Sequence, residues 1–206
     1  MSRALLTESD IRAARGGVLR IEGEFLLTPS AQDLALKLGV RVVVARPGES
    51  LTRGRRVVAV AADHAGFEMK EELRRHVEAL GWLVLDFGTR SREAVDYPDF
   101  AHAAAQAVAE GSADFAILVD GAGIGSCMVA NKVPGVRAAK CDSMADVENS
   151  RKHNDANVLT LAGRLERGLA REMTASWLSL EFEGGRHARR VGKIADVERR
   201  YALKTI

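Results

Sequence analysis

The stretch FAILVDGAGIGSCMVANK, residues 115–132, decides the fold. Its first six residues are mostly apolar, which is typical of a strand buried on both faces of a sheet. The glycines that follow lack a Cβ, so the backbone can turn tightly into a helix that we predict from Ser126 to Asn131. A buried strand, a glycine turn and a helix in this order indicate an α/β protein.

The same alternation of strands and helices continues on both sides of this stretch. At this spacing it predicts a parallel sheet with helices on both faces, which is a doubly wound α/β architecture. The other predicted strands of this part are 57–62, 82–88, 136–141 and 158–163, and its other predicted helices are 67–80, 97–109, 143–152, 166–178 and 193–202.

Residues 1–46 have a different pattern, which predicts a small α+β extension. Short β-prone runs alternate there with helical runs, one of which we expect Ser30 to cap. The segment 47–56 is rich in Pro, Gly and Arg and has little to bury, so we interpret it as a linker to a main domain at 57–206. Because about 45 residues are marginal for an independent fold, we expect the extension to dock on another surface.

Composition excludes several classes of protein. The chain has 206 residues, of which 47% are hydrophobic and 28% charged, and its net charge is +2, an ordinary globular mix. Two cysteines are too few for a disulfide scaffold, and no apolar run approaches the roughly 18 residues that cross a membrane. The N-terminus lacks the apolar core of a secretory signal. We therefore expect a cytoplasmic protein without a membrane partner.

The tail from 186 to 204 is basic, with seven basic side chains against two acidic ones. Its charges alternate with apolar positions, which favours a helix with one solvated face over a nucleic-acid surface. We therefore expect no nucleic-acid partner.

Polar residues follow the predicted strands, and ligands bind at that edge of such sheets. Asp63 and His64 follow the first strand, and Asp120 ends the central one. The glycine turn opens a helix, so its N–H groups favour an anion, although a tight turn without a ligand stays the alternative. The spacing is not G-x-G-x-x-G and no Lys-Ser/Thr follows, which argues against NAD and against a phosphate-transfer loop.

Further polar residues lie near the last strand and in the tail. His153, like His64, is a candidate acid–base group because imidazole titrates near neutral pH. Arg186 and Arg190 share one helical face, where they form either a solvated helix start or a phosphate clamp. No Cys/His spacing suggests zinc, so we expect no metal site.

These stretches together resemble the family of ribose-5-phosphate isomerase B and galactose-6-phosphate isomerase. The resemblance runs from about Arg56 to Arg200 and is carried by ADHAGFEMKEEL, DFGT, DYPDFA, the glycine loop with ANKVPGVRAA, SRKHNDANVLTLAGR and GGRHARRV. It implies a Rossmann-like subunit that forms a homodimer or a dimer of dimers. It also implies a cofactor-independent and metal-independent interconversion of ribose 5-phosphate and ribulose 5-phosphate through a cis-enediol(ate).

The resemblance also implies roles for individual residues. His153 would help to open the furanose ring, and Asp63 would act beside it at the sugar. Loop amides and Asn154 would stabilise the oxyanion, Tyr97 would line the pocket, and arginines would hold the phosphate, some of them across the dimer interface. The implied binding residues are His64, Tyr97, Gly121, Gly123, Gly125, Ser126, Asn154, Arg164, Arg186 and Arg190.

Three positions depart from the family pattern. Asp120 stands where one branch has its catalytic Cys, Ser126 where another branch has a Glu, and Ala122 where a Thr or Ser is usual. We predict Asp120 as the substitute base, provided that burial raises its pKa toward working pH. Three alternatives stay open: Asp120 only holds the turn in a sugar-phosphate-binding or assembly protein, or the substrate is a tetrose or a hexose phosphate.

The extension resembles, through the run LTPSA at 27–31, a module of bacterial-microcompartment proteins. This resemblance implies a location inside a microcompartment, with a shell or co-encapsulated enzymes as partners. The alternative is an oligomerisation arm that covers a sheet edge.

Overall fold

The computed structural model describes residues 4–13, 18–22, 25–38, 40–45 and 56–202. The chain divides into two compact units, one on each side of the peptide bond between Arg55 and Arg56. The predicted linker lies outside the described residues except for Arg56.

The first unit contains two pairs of parallel strands and two helices. Strand β1 pairs with β3 and β2 pairs with β4, and a small core of Ile11, Ala31 and Ala35 lies beneath the helices. Its elements are β1 (Ala4–Leu6), α1 (Glu8–Ala13), β2 (Val18–Glu22), β3 (Phe25–Leu27), α2 (Pro29–Leu38) and β4 (Arg41–Ala45).

Helix α2 begins at Pro29, two residues before Ala31, the first helical residue that the sequence predicted. Ser30 is not its cap: the helix starts at Pro29, and the Thr28 hydroxyl accepts a hydrogen bond from the N–H of Ala31 at 3.2 Å. Proline suits the first helical position because its missing N–H would have no partner there.

The second unit is a doubly wound α/β domain, as predicted. Five parallel strands lie in the order β6-β5-β7-β9-β8. The elements are β5 (Val57–Ala62), α3 (Phe67–Ala79), β6 (Leu83–Asp86), α4 (Tyr97–Ala109), β7 (Phe115–Asp120), α5 (Gly125–Ala130), β8 (Ala138–Lys140), α6 (Met144–Glu148), a π-helical turn (Asn149–His153), β9 (Val158–Ala162), α7 (Arg167–Ser179) and α8 (Arg186–Ala202).

Both faces of this sheet are covered by apolar packing. Large side chains of α3 and α7, such as Leu73 and Trp177, cover one face. Alanines of α4, such as Ala104 and Ala105, cover the other face, where their small size lets the helix approach the strands closely. The sheet is therefore buried on both faces, which leaves the two ends of its strands, here called the carboxyl edge and the amino edge, for polar residues.

Two turns at the carboxyl edge of the sheet approach neighbouring backbone so closely that only glycine fits. A Cβ on Gly66, after β5, would lie 2.3 Å from the carbonyl oxygen of Val119 in β7. A Cβ on Gly123, after β7, would lie 2.9 Å from the carbonyl carbon of Leu161 in β9, and Gly123 has φ +73°. The turns after β5 and β7 are therefore locked against the neighbouring strands.

Two predicted helices have different bounds in the structure. The helix predicted at 143–152 is α-helical only to Glu148 and continues as the π-helical turn. Helix α8 begins at Arg186 rather than at 193 and runs through Gly192 without interruption.

Candidate active site

Asp120 lies at the centre of the carboxyl edge and is bonded to its own glycine loop. It is 4% exposed. Its Oδ1 accepts hydrogen bonds from the N–H of Ala122 at 2.8 Å and from the N–H of Gly123. Its Oδ2 accepts from the N–H of Ser126 at 2.8 Å, and the Ser126 hydroxyl also bonds to the carboxylate. Both oxygens are thus occupied by donors from the turn.

These bonds decide the ionisation of Asp120. Burial raises its pKa, but the hydrogen bonds from Ser126, Ala122 and Gly123 outweigh burial, so the pKa lies below its ordinary value of 3.8. The condition set for Asp120 as a base, that burial raises its pKa toward working pH, is therefore not met. A carboxylate that accepts several N–H bonds holds its negative charge and is a weak base.

The same bonds change the expected oxyanion hole. The amides of Gly123 and Ser126, which we expected to face a developing oxyanion, donate to Asp120 instead. The anion that this helix start favours is supplied by the chain itself. Gly121 and Gly125 belong to the same loop, but their N–H groups are not part of this network.

Asp63 lies beside Asp120 on the neighbouring strand end. Strand β5 pairs with β7 so that Ala62 lies opposite Val119, and the N–H of Asp63 donates to the carbonyl oxygen of Val119 at 3.2 Å. Its Oδ1 accepts a hydrogen bond from the N–H of Gly66 at 2.8 Å, and the residue is 8% exposed. Next to it, the exposed ring of His64 has Nδ1 at 3.3 Å from the backbone of Val95.

Two further predicted residues meet the glycine loop. Arg164 donates from Nη1 to the carbonyl oxygen of Gly121 at 3.3 Å. The ring of Tyr97 lies so close to Gly125 that a Cβ there would be 2.6 Å from the Tyr97 Cζ. The carboxyl edge therefore brings Asp63, Asp120, Tyr97 and Arg164 together around one loop.

His153 lies elsewhere in this unit. Its ring stacks on that of His187, with centroids 4.2 Å apart and planes 4° apart. The Asn149 side-chain amide lies 3.3 Å from its Nδ1, and Glu183 lies 3.8 Å from its Nε2. Arg186 donates from Nε to the Nε2 of His187 at 3.2 Å. Arg190 follows one turn later on α8.

The position of Asn154 differs from expectation. Its Nδ2 donates to the carbonyl oxygen and the side-chain oxygen of Asn149, at 3.1 and 2.7 Å. The amide that we expected at the oxyanion is therefore engaged within the π-helical turn.

These residues lie at the opposite edge of the sheet from Asp120. Asp120 pairs with Ala162, the last residue of β9, whereas Ala116 pairs with Val158, the first. Residues that precede Val158 therefore lie at the amino edge. From Val158 to Ala162 there are four residue steps of about 3.3 Å each, so the two edges are separated by a distance of about 13 Å along the buried strand. His153 and Asn154 therefore lie at the amino edge, away from Asp63 and Asp120 of the same chain.

The sequence reading missed the partners of His153. Among the described residues, His153, Glu183 and His187 each place one potential metal-ligand atom within 4.8 Å of the others. Imidazole binds metals in the plane of its ring, and these two rings are parallel, so the group as arranged suits stacking better than shared coordination. Burial and then His153, Arg186 and Arg190 lower the pKa of His187.

The motif GGRH already placed His187 beside Arg186 in the sequence. The sequence did not show that His187 is buried, which would have marked it as a partner of His153.

None of the described helices is long and apolar enough to cross a bilayer.

Comparison with known proteins follows this geometry. A family model described as Ribose/Galactose Isomerase matches residues 58–194. The chain belongs to the ribose/galactose isomerase family. Ribose-5-phosphate isomerase B of Escherichia coli is 42% identical over 146 residues, which are 69% of this chain and 97% of that protein.

Other members of the family differ in their named substrates. D-erythrulose-4-phosphate isomerase of Pectobacterium atrosepticum is 38% identical over 143 residues, 68% of this chain and 94% of that protein. The structure of ribose-5-phosphate isomerase B from Clostridium thermocellum superposes with a TM-score of 0.69 at 44% identity, covering 70% of this chain and 99% of that one. Family membership therefore indicates sugar-phosphate isomerisation but does not choose the sugar.

Proposed function

We propose that this chain interconverts ribose 5-phosphate and ribulose 5-phosphate through a cis-enediol(ate). The observation that carries the proposal is the carboxyl edge, where Asp63, Tyr97 and Arg164 surround a loop at a helix start. Asp63 offers a carboxylate for proton transfer, and the guanidinium of Arg164 can form paired hydrogen bonds with phosphate oxygens. The named activities of the Escherichia coli and Clostridium thermocellum relatives support the choice of sugar.

The amino edge supplies the other half of the chemistry. His153, held between Asn149, Glu183 and the stacked His187, exchanges a proton with the ring oxygen as the furanose opens. Arg186 and Arg190, both exposed at the start of α8, bind the phosphate.

A complete site needs two copies of the chain. The two half-sites of one chain are separated by buried strands, so one small sugar phosphate cannot contact both. A two-fold dimer places the carboxyl edge of one copy against the amino edge of the other, twice. The expected homodimer thus has a chemical reason, and the arginines of α8 act across its interface.

A mixed-dimer experiment tests this arrangement. Arg164→Glu disables the carboxyl edge and His153→Asn disables the amino edge, so each variant alone should be inactive. In a random mixture half of the dimers are mixed, and each mixed dimer has one intact site, so about a quarter of the sites should regain activity. Absence of any recovery, with mixed dimers present on a native gel, would contradict the shared site.

A second candidate function has one observation in its favour. Asp120, which takes the place of the family's catalytic Cys, holds its loop with both oxygens. That is the arrangement expected of a protein that binds sugar phosphates without isomerising them. Deuterium exchange at C2 of ribose 5-phosphate in D2O separates the two: exchange with formation of ribulose 5-phosphate supports the isomerase, and tight binding without exchange supports the binder.

The substrate proposal has its own test. Rates with ribose 5-phosphate are compared with those for tetrose phosphates, allose 6-phosphate and galactose 6-phosphate, because the Pectobacterium relative is named for a four-carbon substrate. A higher kcat/KM for any of these sugars would replace the pentose.

The first unit has a separate proposed role, direction of the enzyme into a bacterial microcompartment. The family match begins at residue 58, and the relatives compared above are covered almost completely without this unit. Residues 1–56 fused to a fluorescent protein should enter a co-expressed shell. A diffuse signal from the fusion, in cells where a known cargo enters that shell, would contradict targeting and favour an assembly arm.

A further inference from the structure

The structure leaves the isomerase without a base at the family's usual positions. Both carboxylate oxygens of Asp120 accept hydrogen bonds from N–H groups of its own loop. Ser126, at the position of the other branch's Glu, is 2% exposed and bonds to Asp120. A group that removes a proton from carbon needs a lone pair directed at that carbon, and neither residue offers one.

We infer that Asp63, rather than Asp120, is the general base that moves the proton between C1 and C2 of the sugar. The inference rests on the isomerase function proposed above and names the group that performs its central step.

The position of Asp63 fits this role. It follows β5 directly and lies next to Asp120, one strand spacing of about 4.8 Å away. Asp63 is therefore at the same carboxyl edge as Asp120, the residue that the sequence predicted as the base. Gly66, which cannot carry a Cβ against Val119, fixes the turn that holds it. The carboxylate is therefore set by rigid backbone on the sheet rather than by a mobile side chain.

The hydrogen bonding of Asp63 differs from that of Asp120. Within the part of the chain that the structure describes, its one hydrogen-bond donor is the N–H of Gly66, which bonds to Oδ1. A carboxylate offers about four acceptor sites, so the lone pairs of Oδ2 remain for a proton. At 8% exposure the group is nearly dry, and little water competes for those lone pairs.

The other candidates at this edge are less suited. The Cys127 thiol donates to the carbonyl oxygen of Ala138 at 3.5 Å and lies 3.6 Å from the Asn131 side-chain amide, so it is turned toward β8. His64 is exposed, and its Nδ1 is engaged with Val95.

The proton transfer balances without a cofactor. Asp63 takes the proton from C2 of the open aldose, the electron pair of that bond forms C1=C2, and the carbonyl electrons move to O1. In the resulting enediolate, O1 takes the proton of the C2 hydroxyl. The Asp63 carboxylic acid then returns its proton to C1 as the C2 carbonyl forms, which gives the ketose and restores the carboxylate.

Asp63→Asn tests the inference with little change in structure. The Asn oxygen can still accept from Gly66, whereas its NH2 group replaces the oxygen that would take the proton. We follow exchange of the C1 proton of ribulose 5-phosphate in D2O by NMR, because this acyclic sugar bypasses ring opening. Exchange should fall at least about a thousandfold while binding of ribose 5-phosphate changes by less than about tenfold. Asp142→Asn, at an exposed aspartate after the edge strand, is the matched control and should exchange like the wild type.

The outcomes separate this inference from the proposed function. Exchange in the wild type that survives within about tenfold in Asp63→Asn would overturn the inference and leave the isomerase standing. Absence of exchange in the wild type with every sugar phosphate would overturn both. If Asp63→Asn melts more than about 5 °C below the wild type, Asp63→Ala with added formate decides. Exchange restored by formate supports the base, and no restoration overturns it.

Discussion

At the scale of single residues, Asp120 determines the electrostatics of its glycine loop. A neutral thiol at this position would leave the amides of Ala122, Gly123 and Ser126 for a ligand. The carboxylate instead binds these amides itself and holds a full charge at the start of α5. The anion at this helix start is therefore the Asp120 carboxylate itself, which is the reason for assigning the proposed proton transfer to Asp63.

This arrangement predicts how stability depends on pH. The pKa of Asp120 is lower in the folded protein than in the unfolded chain, so its stabilisation is complete above the unfolded value of about 3.9 and is lost as pH falls through the folded value. Asp120→Asn should cost about 2 kcal/mol of unfolding free energy at pH 7, because three N–H groups lose a charged acceptor. The difference from the wild type should shrink below about pH 4.

Urea unfolding followed by tryptophan fluorescence measures this difference, since Trp82 and Trp177 both lie in the second unit. Asp142→Asn provides the baseline for loss of an exposed aspartate. A difference that stays constant from pH 7 to pH 3 would show that the charge of Asp120 does not hold the loop.

Arg151 gives a second prediction at this scale. Its guanidinium is buried between Phe115 and Trp177, with ring centroids at 4.8 and 5.1 Å. It donates to the carbonyl oxygens of Ala156 at 2.6 Å and Leu180 at 3.2 Å, which ties the π-helical turn to β9 and α7. Arg151→Lys keeps the charge but loses the planar fork, so the free energy of unfolding should fall by about 3 kcal/mol.

The control for Arg151→Lys is Arg167→Lys, an exposed arginine that pairs with Glu68. It should change the free energy of unfolding by less than about 0.5 kcal/mol. Equal effects of the two variants would mean that burial and stacking of Arg151 do not stabilise the domain.

At the scale of elements, the strands and most helices of the second unit follow from the sequence. Continuous apolar runs such as 115–120 predict strands buried on both faces, and β5, β7 and β9 lie where those runs do. The start of α8 was harder to predict, because the sequence predicted a helix only at 193–202, whereas α8 begins at Arg186 and runs through Gly192. A glycine weakens a helix by only about 1 kcal/mol, which the rest of α8 can outweigh.

The site was only partly predictable, because motifs group residues that the sheet places at opposite ends of its strands. The sequence tells which polar residues follow a strand and which precede it, and in a parallel sheet these belong to opposite edges. His153 precedes β9 and Arg164 follows it, so register separates residues that motifs had grouped. The hydrogen bonds of Asp120 could not be predicted from the sequence, because they depend on backbone angles that the glycines of the loop leave free.

Two glycine substitutions, one at the carboxyl edge and one away from it, should differ in how much unfolding free energy they cost. Gly123→Ala adds a Cβ at 2.9 Å from the Leu161 carbonyl carbon and at a φ of +73°, so contact and backbone strain both oppose it. Gly81→Ala, in the turn after α3, meets nothing within 4 Å and has φ +87°, so only the backbone is strained. Losses of about 3 and 1 kcal/mol in unfolding free energy are expected.

Isomerase assays extend the comparison of these glycines. Gly123→Ala should also lower kcat/KM at least about tenfold, because the loop that would shift contacts Arg164 and Tyr97 at the candidate active site. Gly81→Ala should stay within about threefold of the wild type. Equal stability of the two variants would show that the turn after β7 can move away from β9.

At the scale of the whole molecule, the two units have unequal cores. Among the described residues of the first unit, the buried apolar side chains are Leu6, Ile11, Ala31 and Ala35, whereas the second unit has two extensive clusters, one on each face of its sheet. Every proposed site residue lies in the second unit. The family model matches residues 58–194 within that unit, and 97% of the Escherichia coli relative is covered by the match to this chain.

A chain that begins at Arg56 tests this division. It retains the five-stranded sheet and both half-sites, and a domain of that size buries enough surface to fold alone. We expect a kcat/KM within about threefold of the full chain, and the same oligomeric state in analytical ultracentrifugation. A loss of activity above about tenfold with an unchanged oligomeric state would assign a catalytic contribution to the first unit, and a smaller oligomer would identify that unit as an assembly arm.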